Sequence, residues 1–168
     1  MKIINMLPVV AMGLFLTSCS HKYYVVRHAE KEVAGAAMSS DVQLSDAGRM
    51  RAEALKDLLQ NKNIKNIYST RFVRTKETAE PLRAAGNGEL IFYGPAPTGL
   101  FFDSLKQLKT NTLIVGHSNT VDDIVNGLTG EKSVASDLDE SEYNNLFIVT
   151  YGSFPTKKIK FRRMKFGQ

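Results

Sequence analysis

The chain has 168 residues, a formal charge of +5 and 43% hydrophobic residues. That length suits one domain with a real core. The modest charge comes with no nucleic-acid recognition motif, which argues against a nucleic-acid partner, and a single cysteine excludes an internal disulfide. In chain order, Lys2 precedes a mostly apolar run from Ile3 to Leu16. A basic start, an apolar centre and small residues before a break describe a secretory signal. The run falls short of the roughly 20 apolar residues of a membrane-spanning helix.

The stretch Leu16-Thr17-Ser18-Cys19 resembles a bacterial lipobox, where a signal peptidase cuts before a cysteine that receives lipid. The expectation is therefore a signal peptide over 1–18, a lipidated tether over 19–22 and one domain over 23–168. The mature chain would begin at Cys19, lose only Lys2 among its charges, and be held to a membrane of the cell envelope by several acyl chains. His21 falls in that tether, with no role expected of it.

Tyr23-Tyr24-Val25-Val26 predicts a buried strand ending at Arg27. The polar segment 31–43 reads as a loop. Ser45 caps a predicted helix over 46–61, with Met50, Ala54, Leu55, Leu58 and Leu59 inward and Arg49, Arg51, Glu53 and Lys56 toward water. A second strand is expected over 66–69 and a helix over 72–85, which Pro81 should end or bend. Gly86-Asn87-Gly88 turns into a strand over 89–93, and a Pro/Gly loop leads to a helix over 100–109. Thr112-Leu113-Ile114-Val115 is the fourth strand, and Asn119 caps a predicted helix over 120–128 that Gly130 closes. Runs at 145–151 and 158–166 read as an antiparallel hairpin. The Lys/Arg-rich second run reads as a solvated edge strand rather than a lipid-contacting patch. Strand and helix alternate until that hairpin, so the expected fold is α/β: three layers, α/β/α, around a mainly parallel sheet.

Parallel sheets bind ligands outside the carboxyl ends of their strands. Three predicted strands deliver unusual residues at that end: Arg27-His28, then Arg71 and Arg74, then Gly116-His117-Ser118. Arginine's planar fork suits phosphate oxygens, and a neutral imidazole can attack phosphorus. Arg71 lies one helical turn from Arg74 and could exchange roles with it.

Val25-Val26-Arg27-His28-Ala29-Glu30 resembles the signature of the histidine phosphatase superfamily, the group containing cofactor-dependent phosphoglycerate mutases and short bacterial phosphohistidine phosphatases. The likeness continues through Leu44-Ser45-Asp46-Ala47-Gly48, Tyr68-Ser69-Thr70 with Arg74-Thr75 and Thr78-Ala79, and Val115-Gly116-His117-Ser118. It implies a phosphoglycerate mutase-like fold. It also implies His28 as the phosphorylated nucleophile, with Arg27, Arg74 and His117 around the phosphoryl group. Ser118 is a candidate phosphate donor. No metal or other cofactor is implied, since protein cations neutralise the phosphate.

Two features depart from the family pattern. Ala29 stands where glycine is usual, so an added methyl could crowd the pocket floor. The acid usually found between the second arginine and the second histidine has no clear counterpart. Asp103 and Glu30 are the candidate proton donors, while Glu77 and Glu80 read as helix-surface charges and Glu89 lies at the wrong strand end. The expected activity is hydrolysis of a phosphomonoester or phosphoramidate on a small phosphorylated substrate. The alternatives are a non-catalytic phosphate-binding lipoprotein and, less well supported, a phosphomutase.

Overall fold

Val25 and Val26 point to opposite faces of their strand, yet both are fully buried, which requires packed layers on both sides. The computed structural model describes residues 20–33, 41–152, 156 and 158–167. It places β1 (Ser20–Arg27) inside a six-stranded sheet with β2 (Ile64–Ser69), β3 (Glu89–Phe92), β4 (Asn111–Gly116), β5 (Asn145–Gly152) and β6 (Lys158–Lys165), in the order β3-β2-β4-β1-β5-β6. Strands β1 to β4 run parallel, while β5 pairs antiparallel with both β1 and β6. The expected mainly parallel sheet with a C-terminal antiparallel hairpin is therefore present. The signal segment and Cys19 lie outside the described residues. Among the described residues no helix is long and apolar enough to cross a membrane.

Helices α1 (Asp46–Leu59) and α2 (Val73–Ala84) cover one face, where Leu55, Leu59, Ala79 and Leu82 pack on Tyr24, Val26, Leu113 and Val115. Helices α3 (Gly99–Gln107) and α4 (Val121–Thr129) cover the other, with Leu105, Ile124, Val125 and Leu128 against Tyr23, Val25, Ile114 and Phe147. Each buried Leu, Ile or Val side chain among them contributes about 1.5–3 kcal/mol by leaving water.

Several local expectations are corrected. Ser20, His21 and Lys22 extend β1 instead of forming a tether, and His21 stacks on Tyr151 at 5.3 Å. Met50 is 69% exposed, whereas Arg51 turns inward to a carboxylate. Pro81 lies inside α2, which continues to Ala84, close to the expected end, before Gly86 takes the left-handed conformation. Thr120, not Asn119, is the N-cap of α4. Its hydroxyl accepts from the backbone N–H of His117 at 3.0 Å, tying that helix to the strand end. The Lys/Arg-rich β6 is indeed an edge strand.

The Leu44–Gly48 motif has a clear physical reason. Ser45 accepts from the Gly48 N–H at 3.2 Å to start α1. A Cβ on Gly48 would lie 2.1 Å from the carbonyl oxygen of Glu30, so only glycine lets α1 press against the segment following His28. Ala29 fits there too. Its methyl packs with Leu44 and Ala52 in a small buried cluster, so it fills core rather than crowding the pocket floor.

Candidate active site

Strands β2, β4 and β1 are neighbours, so their carboxyl ends bring Ser69-Thr70, Gly116-His117 and Arg27-His28 to one edge. The His28 N–H donates to the Gly116 carbonyl at 2.9 Å, and the Ala29 N–H donates to the Thr78 hydroxyl at 2.9 Å. These bonds fix the backbone of the first motif between β4 and α2. The resulting cavity, about 280 Å³, is lined by Arg27, His28, Arg74, His117, Ser118 and Glu140 among others.

His28 is 3% exposed, and its Nδ1 lies 2.8 Å from the Ala29 carbonyl. A carbonyl only accepts, so Nδ1 carries the hydrogen and Nε2 keeps its lone pair. Burial, then the charges of Arg74 and Arg27, outweigh that backbone bond and push its pKa down to about 3. The imidazole is therefore neutral with Nε2 unprotonated, which is the form that can attack phosphorus.

His117 stands beside it, with ring centroids 5.5 Å apart. The Thr75 hydroxyl donates to the carbonyls of Thr70 and Phe72, which leaves it to accept from Thr70. Thr70 Oγ1 then accepts from His117 Nε2 at 3.0 Å, so Nδ1 is the unprotonated nitrogen and faces an Arg74 N–H at 3.5 Å. Burial and the two arginines lower its pKa to about 4. A bound phosphoryl dianion would oppose that shift and favour a protonated, hydrogen-bonding Nδ1.

Both histidines bind protons less readily in the folded chain than in the unfolded one. Stability should therefore fall as pH drops from about 6.5 toward 4, where the unfolded chain takes up protons that the folded chain refuses. In an NMR titration, the ring C–H signals of His28 and His117 should move only near pH 3 and pH 4, so far as the fold survives. Midpoints near 6.5 would contradict the buried, cation-flanked environment.

Arg27 is buried, with its guanidinium 4.1 Å over the Tyr143 ring. It donates to the carbonyls of Asp139 and Glu140 at 3.0 Å each and to the Glu140 carboxylate at 2.6 Å. Its Nε is buried and has no hydrogen-bond partner among the described residues. Arg74 packs 4.4 Å over Phe72 and lies 3.9 Å from Asp41. Asp41 in turn accepts from the Val73 N–H at 2.7 Å and secures the start of α2. Arg71 turns away onto Phe92, so Arg74 alone of the pair enters the cavity.

The two candidate acids are not brought to the histidines. Asp103 lines a separate hollow of about 460 Å³ between α3 and α4, with Phe102, Lys106 and Gly127. That hollow is larger but contains no histidine or arginine. Glu30 is clamped by Arg51, whose Nε lies 2.8 Å and whose terminal nitrogen 2.6 Å from the carboxylate. The bonds and charge of Arg51 outweigh desolvation and hold its pKa below the usual range, so it stays ionised. Glu77 is not a bare surface charge either: it accepts from the Leu44 N–H at 2.7 Å. Ser118 does reach the cavity, but its hydroxyl donates to Glu140 at 2.7 Å.

No motif announced Glu140, which lines the cavity, or Tyr143, whose ring lies 6.1 Å from that of His28. They precede β5, which pairs antiparallel with β1 and so starts at the carboxyl end of β1. Pairing the predicted hairpin with β1 was the signal that could have found them.

Residues 23–92 match the family model of the histidine phosphatase superfamily, branch 1. The matched stretch carries Arg27, His28 and Arg74, while His117 and Glu140 fall beyond it. No curated protein sequence matches the chain. Among solved structures, the protein histidine phosphatase SixA complexed with tungstate superposes with a TM-score of 0.66 at 17% identity, covering 86% of this chain and 96% of that one. A protein designated phosphohistidine phosphatase SixA from Agrobacterium tumefaciens gives 0.64 at 20% identity, covering 86% and 95%. A phosphoserine phosphatase from Entamoeba histolytica, in complex with 3-phosphoglyceric acid, gives 0.57 at 15% identity, covering 88% and 97%. The fold is thus that of the histidine phosphatases and phosphoglycerate mutases.

Proposed function

We propose that the whole chain is a histidine phosphatase that hydrolyses a phosphomonoester or phosphoramidate through a phosphohistidine on His28. The observation that carries this reading is the neutral His28 with its Nε2 lone pair free, in a cavity shared with Arg27, Arg74 and His117. Arg27 and Arg74 hold the phosphoryl oxygens, and Nε2 attacks phosphorus. The bond to the leaving oxygen or nitrogen breaks, and its electron pair departs with that atom. Water then attacks the phosphohistidine, the P–N electron pair returns to Nε2, and orthophosphate leaves. Fixed positive charge around the phosphoryl group supplies most of the acceleration, without a metal. SixA likenesses support a phosphoramidate as substrate, since the SixA complexed with tungstate is a protein histidine phosphatase.

A panel of phosphomonoesters, phosphohistidine and phosphoramidates tests the activity. At least one should be hydrolysed with release of orthophosphate. Binding of phosphate without turnover of any member would instead favour the non-catalytic lipoprotein, and transfer of phosphate between hydroxyls would favour a mutase.

The setting is a second part of the proposal: export, and anchoring to the cell envelope by lipid on Cys19. Ser20 opens β1 and His28 follows its end, so a strand of roughly 25 Å separates the anchor from the cavity. The mouth would then face away from the membrane, open to small phosphorylated substrates. Cys19→Ser should move the protein from membrane to soluble fractions, and unchanged fractionation would refute lipidation.

A further inference from the structure

The proton donor is missing from the positions where the sequence suggested it, but the cavity does hold a carboxylate. His28, 3% exposed, forms the floor, and the Glu140 side chain, 71% exposed, stands at the mouth. In phosphoryl transfer the attacking and leaving atoms lie roughly in line through phosphorus. A group displaced by a nucleophile on the floor must therefore depart toward the mouth. Among the described residues lining the cavity, Glu140 is the one carboxylate there. Glu30 is bound to Arg51, Asp41 is bonded to the start of α2, and Asp139 is bonded to Ser141. Ser118 holds Glu140 Oε1 at 2.7 Å, and Arg27 holds Oε2 at 2.6 Å, so both oxygens are positioned rather than free in solvent.

Resting on the proposed His28 chemistry, we propose that Glu140 is a further catalytic residue: it protonates the leaving oxygen and then takes a proton from the attacking water. In the first step the carboxyl O–H of Glu140 gives its proton to the ester oxygen as the P–O bond breaks and the P–N bond to His28 forms. In the second, the carboxylate accepts a proton from water as the water oxygen bonds phosphorus and the P–N bond breaks. Glu140 ends protonated, as it began, and the sum is ester plus water to alcohol plus orthophosphate. In the resting cavity the hydrogen bond from Ser118, then that from Arg27, holds its pKa below the usual range. A phosphoryl group that takes over the Arg27 N–H removes one of those bonds and adds negative charge nearby. Both changes raise the affinity of Glu140 for a proton when substrate is present.

The test is the dependence of kcat/KM on the leaving group, which reports the first step. Wild type and Glu140→Gln are compared on an alkyl phosphate, phenyl phosphate and p-nitrophenyl phosphate, with vanadate binding measured in both. General acid catalysis contributes about 100- to 10,000-fold where the leaving oxygen is basic. The variant should therefore lose roughly 100-fold or more on the alkyl ester but only a few-fold on p-nitrophenyl phosphate, with vanadate binding retained. Formate should restore part of the alkyl-ester rate in Glu140→Ala, which a structural role would not allow. An equal loss on all three esters, no loss, or no rescue by formate overturns the role of Glu140 while leaving the nucleophile intact. Failure of wild type to form any phosphohistidine overturns both readings, and so separates the two failures.

Discussion

His28→Ala is expected to lower turnover by about 1,000-fold or more, about 4 kcal/mol of transition-state stabilisation, while vanadate still binds. The substitution removes the atom that would form the P–N bond, and no remaining group in the cavity can replace it. His117 lacks the geometry: its Nε2 is tied to Thr70 and its Nδ1 faces Arg74. The fold should survive, because the His28 ring makes its hydrogen bond to the Ala29 carbonyl and contributes none to the sheet. Steady-state hydrolysis of the best substrate, with vanadate affinity as the control, decides it. Retained turnover would mean that water attacks the substrate directly.

Arg27→Ala should be nearly as damaging, by roughly 100- to 1,000-fold in kcat/KM, and unlike the first it should weaken vanadate binding too. Arg27 has two tasks. In the proposed mechanism it offers guanidinium N–H groups to the phosphoryl oxygens, and in the structure it holds the 139–143 segment through two carbonyls, the Glu140 carboxylate and the Tyr143 ring. Its loss leaves two part-buried carbonyls and an exposed carboxylate without their shared donor and unties the segment, so the thermal midpoint should drop. Arg27→Lys should restore little, because a point ammonium cannot span two carbonyls and a carboxylate at once. Arg71→Ala is the matched control: its guanidinium sits on Phe92, outside the cavity, and activity should hardly change. A normal vanadate affinity in Arg27→Ala would remove Arg27 from the phosphate clamp.

The two variants draw on different parts of what the sequence discloses. Short runs rich in Val, Ile and Tyr mark β1, β2 and β4; Arg27-His28 and His117 stand at the carboxyl ends of β1 and β4, and Arg74 follows β2 in the first turn of α2. The cationic half of the site was therefore readable. Local signals served less well where tertiary packing decides. Arg51 reads as a surface residue of an amphipathic helix, yet the carboxylate of Glu30, 21 residues earlier, draws it inward. Met50 has the right spacing for the apolar face but lies 69% exposed. Asn119 is a good cap by residue type, but the helix starts one residue later, behind Thr120, whose hydroxyl turns back to the His117 N–H instead of capping the helix.

The acidic half was hidden for a different reason. Glu140 sits in an irregular segment with several carboxylates, Asp137, Asp139, Glu140 and Glu142, and nothing in residue type singles one out. Its place is set by β5 pairing with β1 and by Arg27 capturing the loop carbonyls. Both are long-range contacts that periodicity does not reveal. The same contacts explain why Ser118, a fair phosphate donor by position, turns to a carboxylate instead.

The central claim is a covalent bond between phosphorus and His28 Nε2. The most direct measurement is a rapid quench of the turning-over enzyme into alkaline denaturant, followed by peptide mapping for bound phosphate. The P–N bond of a phosphoramidate survives alkali better than acid. The account predicts phosphate on the peptide carrying His28 in the wild type and none in His28→Ala. Turnover with no phosphorylated peptide, or phosphate carried by another residue, would contradict it.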